Sequence, residues 1–295
     1  MVRVSGWPVA KLVVSNVIFG TIGLFAVKGG LPATVTVFWR CIFAALFLLI
    51  WCLMRGYLRP SALSSKMFLL AAIGGVASIG GSVALFGSFQ YATIGTATIV
   101  YHVQPFLFIL IGAFAFKERV RPFEMFWIFV AFGGLGLSTG LVRTADPADV
   151  GRFLGIVLSL VAALLYAAGA MIGKCLGKQQ TEVTTLVQAI VGIILLVPFA
   201  HVLQPLPLAS WKWLIALGVI HTGIAYVLMF SAYPQLRTAI IGALAFIFPL
   251  VSVLVDWLAF GKTLQPAQWV GLALIILGTL GVQMAWRPRL RRSVE

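Results

Sequence analysis

Charge is scarce in this sequence. Of its 295 residues only 9% are Asp, Glu, Lys or Arg, and seven acids stand against 21 Lys and Arg. A soluble domain carries about 25% charged residues, so this chain lacks the polar surface needed to face water. Cysteine is equally thin. Cys41, Cys52 and Cys175 lie within or at the edges of apolar segments without any Cys-x-x-Cys pair, which argues against a disulfide framework or a zinc site. The three histidines are scattered over separate apolar runs. There is no His-Glu-x-x-His, no carboxylate pair at helical spacing, no Gly-x-Ser-x-Gly and no Walker loop. An intramembrane hydrolase or metal-dependent enzyme would need such a cluster. The chain is therefore not expected to be an enzyme, and no cofactor or metal is expected.

What is abundant is apolar. Hydrophobic residues make up 61% of the chain and the mean hydropathy is +1.08, the composition of an integral membrane protein. Apolar length and punctuation mark ten spans, at about residues 9–29, 34–54, 67–89, 93–116, 122–142, 152–173, 183–203, 210–232, 238–260 and 265–286. Ten spans of about 21 residues use roughly 210, which leaves no room for a soluble domain. The runs are too long and uniform for barrel strands, so an all-α bundle is expected. Trp7, Trp51, Trp211, Trp213, Trp269 and Trp286 fall near span ends, as interfacial anchors do. The first run leads into Gly29-Gly30-Leu31-Pro32 rather than a small-x-small cleavage site, so it is read as a span.

The net charge of +14 would suggest nucleic acid in a soluble protein. Here the basic residues lie between apolar runs, and no nucleic-acid partner is expected. With the N-terminus cytoplasmic, inside segments hold 15 Lys and Arg and outside segments five. The positive-inside rule then places both termini in the cytoplasm, as for a multi-pass protein of the cell (inner) membrane whose basic loops meet anionic lipid.

A shift of 144 residues superimposes the halves. Pro105 falls on Pro249, Pro122 on Pro266, Phe86 on Phe230, Gly134 on Gly278, Ser15 on Ser159 and Gly29 on Gly173. The units are 1–145 and 146–295, each of five spans. Five is odd, so the second unit enters the membrane from the opposite side. Two inverted five-helix repeats around a central cavity are a transporter architecture, with the substrate site between the halves near the midplane.

Candidate site residues follow from polar and aromatic side chains on shared helical faces, which lipid cannot satisfy. Span 4 offers Thr98, Tyr101, His102 and Pro105 at i, i+3, i+4 and i+7; span 3 offers Ser82 and Phe86; span 6 offers Tyr166; span 8 offers Tyr226 and Phe230. Phe246 of span 9 lies at the same level, and Asn16 of span 1 is either a ligand contact or interhelical glue. Pro105 and Pro249 permit kinks at matched places and are the expected hinges. Arg40, about six residues into span 2, and Asp256, near the outer end of span 9, either snorkel to the interface or meet the pathway; at the cavity mouth Arg40 would attract a carboxylate. Gly169-x-x-x-Gly173 is read as packing or dimerisation. A monomer is expected, with a dimer as the alternative. No chain of mid-membrane carboxylates is present, so gradient-driven export is expected, with His102 the group able to titrate near neutral pH.

These features resemble the EamA-type members of the drug/metabolite transporter superfamily. The resemblance is carried by Phe38-Trp39-Arg40, Tyr101-His102-Val103-Gln104-Pro105, Phe116-Lys117-Glu118-Arg119, and Pro249 followed by Phe260-Gly261-Lys262. The second half departs from the pattern, with Lys262-Thr263 where the family commonly has Glu-Arg. The resemblance implies ten helices, a cavity between inverted repeats and export of small metabolites. Amino acid exporters, including the YddG-type exporters of aromatic amino acids, are among its members, and an aromatic-lined site suits an amphiphilic amino acid-like solute. Drugs, phosphorylated sugars and a non-transport receptor or scaffold are the alternatives.

Overall fold

The computed structural model describes residues 6–58, 64–88, 91, 100–117, 121–138, 150–176, 181–200, 205–260 and 265–286. Among them the chain is helical. In hydrocarbon a backbone without local hydrogen bonds finds no partner, so long apolar runs close into helices. These are α1 (Gly6–Gly20), α2 (Ile22–Gly29), α3 (Ala33–Arg55), α4 (Ser65–Ser88), α5 (Gln104–Phe116), α6 (Pro122–Ser138), α7 (Val150–Cys175) and α8 (Thr181–Leu196) in the first part of the chain. They continue with α9 (Leu208–Ala216), α10 (Ala225–Ala232), α11 (Thr238–Leu244), α12 (Ile247–Phe260) and α13 (Pro266–Gln283). Among the described residues seven helical stretches are long and apolar enough to cross a bilayer. Three shorter apolar helices, Phe106–Ala115, Pro122–Leu137 and Pro266–Val282, sit where spans 4, 5 and 10 are expected. Leu46, Leu49, Ile50, Leu53 and Met54 form an exposed apolar face on α3, a surface that calls for lipid rather than water. Lys11 lies over Trp7, Arg55 over Trp51 and Lys212 over Trp213, pairing cations with aromatic anchors near span ends.

The principal contacts map onto themselves when the two halves are exchanged. Spans equivalent under the 144-residue shift pack on each other: α6 on α13, α3 on α8, and α5 on α11. The remaining contacts come as mirrored sets. The α4–α7 contact corresponds to α1–α10, and α5–α7 corresponds to α1–α12.

The α6–α13 seam shows the relation atom by atom. A methyl on Gly134 would stand 2.6 Å from the Gly271 carbonyl oxygen and 2.9 Å from the Ile275 nitrogen. A methyl on Gly278 would stand 2.5 Å from the Trp127 carbonyl oxygen and 2.7 Å from the Ala131 nitrogen. Gly278, Gly271 and Ile275 are the images of Gly134, Trp127 and Ala131 under the shift, so each contact is the counterpart of the other. Rising numbers on α6 meet falling numbers on α13. Equivalent helices therefore run antiparallel, and the repeats are inverted. The α3–α8 pair agrees: Val37 and Phe38 cluster with Leu196, while Ala44 and Leu48 cluster with Leu186 and Ala189. The boundary expected at residue 145 lies outside the described residues.

Several spans are broken. Span 1 is interrupted at Thr21, span 4 at His102 and Val103, and span 9 at Ala245 and Phe246. The last two breaks fall just before Pro105 and Pro249, where proline removes the donor for the carbonyl one turn back and its ring crowds the preceding turn. Span 8 widens into a π-helical stretch, Leu217–Ile224. The Gly169 and Gly173 positions settle as internal packing rather than a dimer face. Gly169 meets Ser78 and Gly173 meets the Phe230 ring.

Candidate functional site

A cavity enclosing about 650 Å³ of free space, its open mouth included, lies between the two halves. The first half supplies Asn16, Phe19, Ile22, Arg40, Gly81, Ser82, Leu85, Phe86, Tyr101 and Gln104; the second supplies Tyr166, Tyr226, Ala245 and Phe248. Eight of these residues form four pairs under the 144-residue shift: Ile22 with Tyr166, Ser82 with Tyr226, Tyr101 with Ala245, and Gln104 with Phe248. The pseudo-symmetry of the fold thus passes through the site. The chemistry does not follow it. Arg40, Ser82, Asn16 and Gln104 all come from the first half, beside its aromatics Phe19, Phe86 and Tyr101, while the second half contributes the aromatics Tyr166, Tyr226 and Phe248.

One end of the cavity is sealed. Along each helix the lining residues give way to an apolar plug: Asn16 to Leu12, Tyr226 to Met229 and Phe230, Ala245 to Leu244 and Ile241, and residues 101 and 104 to Phe108. The Tyr166 hydroxyl donates to Met229 Sδ at 3.4 Å at the junction of cavity and plug. Below the plug an ion pair ties the halves together. Arg237, at the head of α11, donates to Glu124 in the first turn of α6, Nη1 to Oε1 at 2.5 Å, and Glu124 also accepts the Arg121 backbone N–H at 2.9 Å. The carboxylate is buried, while Arg237 is 39% exposed, so solvent screens part of the attraction. Glu124→Gln is expected to weaken this link by about 1 kcal/mol, a roughly fivefold shift toward opening at that end. The measurement is the labelling rate of a cysteine placed at the buried Leu236; an unchanged rate would show that the pair holds nothing closed.

On the other side of the cavity, Gly20 and Thr21 at the break in span 1 link it to spans 8 and 9. The Thr21 hydroxyl donates to the Ile18 carbonyl at 2.8 Å and lies 2.9 Å from His221 Nε2 in the π-helical stretch. The adjacent Gly20 carbonyl accepts the Ser252 hydroxyl at 3.0 Å.

Of the residues proposed from sequence, the structure brings Asn16, Ser82, Phe86, Tyr101, Tyr166 and Tyr226 together around the cavity. It places three elsewhere. His102 is fully buried, its ring stacked 5.2 Å from that of Phe248, so it backs a lining residue. Phe246 is fully buried against Ile128, Leu135 and Ile275. Positions 102 and 246 are equivalent under the shift, and each lies in the turn that breaks its span, which aims the side chain away from the cavity. Phe230 sits in the plug, edge-on to Tyr226 at 5.5 Å. The backbone of Pro105 opens α5 at the break, and Pro249 is buried one turn beyond its own. Thr98 and Glu118 lie outside the described residues, as does the Asp256 side chain.

Arg40 does not snorkel. It is 3% exposed, and its Nη2 donates to Ser82 Oγ at 3.1 Å. The sequence held the signal: Val37, Arg40, Cys41, Ala44 and Leu48 follow the i, i+3, i+4 stripe that α3 buries. Gln104 and Phe248 went unassigned because neither reads as functional on a straight helix.

The fold and cavity define a multi-span membrane protein with a site between inverted halves, closed at one end. The EamA-like transporter family model matches residues 6–140 and again 153–284. The uncharacterized transporter YxxF of Bacillus subtilis is 32% identical over 92% of this chain and 87% of its own length. The threonine/homoserine exporter RhtA of Salmonella typhimurium is 27% identical over 71% of this chain and 70% of its own length. A solved crystal structure with 18% identity superimposes with a TM-score of 0.80, covering 95% of this chain and 99% of the other. The chain belongs to the EamA-like transporter family.

Proposed function

We propose that the protein exports a small amphiphilic, amino acid-like metabolite across the cell (inner) membrane by alternating access. The observation that carries this reading is the cavity itself, walled by both halves, sealed at one end by an apolar plug and flanked by two broken helices. Rocking the halves about those breaks would exchange the sealed end. The similarity to RhtA, a threonine/homoserine exporter, supports an amino acid, and the aromatic wall favours an apolar side chain. The excess of basic residues in the loops expected inside supports a cytoplasmic side for both termini, and with them for the plug. In this arrangement the protein works as a monomer on gradient-driven solute, without a carboxylate relay.

Proteoliposomes loaded with unlabelled amino acid test the reading. Saturable uptake of labelled amino acid with counterflow is the expected result. Conductance without counterflow would indicate a channel, and neither flux nor conductance would indicate a receptor or scaffold.

A further inference from the structure

We propose that Arg40 seats the carboxylate of the transported solute, which makes the cavity selective for carboxylate-bearing molecules over organic cations. The assignment deepens the transport reading and rests on it.

A guanidinium keeps its proton at any physiological pH. Buried in a low-dielectric wall, it is one of the costliest groups to leave without a counter-charge. Arg40 is 3% exposed and lines the cavity. Its Nη2 donates to Ser82 Oγ at 3.1 Å, a neutral partner that Ser82 shares by donating to the Ser78 carbonyl at 2.9 Å. The Arg40 Nε has no hydrogen-bond partner. Among the described residues no carboxylate pairs with this arginine. Among the described residues the counter-charge is therefore missing, and it is to be supplied by what enters.

The surroundings point the same way. Among the described lining residues Arg40 is the one cation and there is no acid. The wall thus carries a single positive charge, which suits one carboxylate and repels an amine or a quaternary ammonium. A phosphate monoester would call for several converging basic groups. Two broken-helix N-termini meet the cavity as well, α5 beginning at Gln104 and α12 at Ile247, one residue before the lining residue Phe248. Their macrodipoles add positive potential.

Position supplies the last argument. Four lining pairs obey the internal symmetry, but the equivalent of Arg40 is Thr184, which lies outside the lining. The charge therefore sits on the first-half side of the cavity alone. The carboxylate docks on the first-half wall, and the apolar side chain reaches toward Tyr166, Tyr226 and Phe248 on the second. A solute held this way contacts both halves.

The test uses the purified full-length protein in detergent, with thermal stabilisation read for the twenty proteinogenic L-amino acids and for the amine that each leaves on decarboxylation. At least one amino acid is expected to stabilise the wild type, and its amine is not. Arg40→Gln is expected to weaken that binding roughly 30-fold or more. Arg40→Lys keeps the charge but loses the planar fork, so its loss is expected to be smaller. The ligand-free melting temperature of Arg40→Gln is expected to be no lower than wild type, because an unpaired buried charge has been removed. A merely structural arginine would give the opposite pair of results, a lowered ligand-free melting temperature and unchanged affinity. The proposal is overturned by that result, by an amine that binds as tightly as its amino acid, or by a panel in which no amino acid binds. Counterflow of a solute without a carboxylate would sink the Arg40 assignment while leaving the transport reading intact.

Discussion

Leucine in place of Gly278 is expected to abolish folded, monodisperse protein in detergent. Lipid gives neighbouring helices no hydrophobic reason to associate, so their stability comes from close packing, and small residues let backbones approach. At this crossing the atoms nearest to a new methyl belong to the facing backbone, the Trp127 carbonyl oxygen at 2.5 Å and the Ala131 nitrogen at 2.7 Å. A flexible side chain could rotate away, but a helix backbone moves only if the helices part. Alanine alone is expected to cost about 1–3 kcal/mol, and leucine more. Gly134→Ala should behave like Gly278→Ala, because the two glycines hold equivalent places in one seam. The double variant should cost less than the sum, since helices already parted by the first methyl accommodate the second. Gly133, next in sequence to Gly134, has open space around it, so Gly133→Ala serves as the silent control. Unfolding midpoints in detergent read all four variants. Equal midpoints for Gly133→Ala and Gly134→Ala would refute the seam.

The same seam shows how far the sequence could be read. The 144-residue shift rests on aligned prolines and glycines such as Gly134 and Gly278, and both of those glycines sit in the α6–α13 crossing. Breaks in spans 4 and 9 fall just ahead of Pro105 and Pro249, because a lost backbone donor is a local property that one residue announces. The facing of side chains beside those breaks was not legible. A helical wheel laid straight through span 4 puts Tyr101 and His102 on neighbouring faces, yet the turn at His102 sends its ring behind Phe248. Phe246, at the equivalent place, is misdirected by the same cause. Arg40 was ambiguous for another reason. Its position near a span end permits snorkelling, the stripe of Val37, Cys41, Ala44 and Leu48 favours burial, and packing against α4 brings Ser82, a partner no local pattern announces, to its Nη2. The Glu124–Arg237 pair joins residues 113 apart in sequence, a separation that no local pattern encodes.

The contrast between lining and packing yields the second large expectation. Tyr226 faces the cavity and meets Phe19 edge-on at 5.2 Å, whereas Phe246 is fully buried in an apolar cluster. Tyr226→Ala removes a ring from the aromatic wall of the proposed site. Transport is expected to fall about tenfold, roughly 1.4 kcal/mol, while the yield of folded protein stays near wild type, and Tyr226→Phe should recover most of the loss by restoring the ring. Phe246→Ala instead leaves a void between α11, α6 and α13, which the surrounding helices fill only in part. Its expected cost is about 3–5 kcal/mol of stability, seen as a lower unfolding midpoint and reduced yield. The protein that survives should transport with an unchanged half-saturation concentration, because no atom contacting solute has been removed. Flux measured per folded molecule separates the two effects. A wild-type half-saturation and rate for Tyr226→Ala, together with a shifted half-saturation for Phe246→Ala, would move the solute site from the cavity between the halves to the α6–α13 side of span 9.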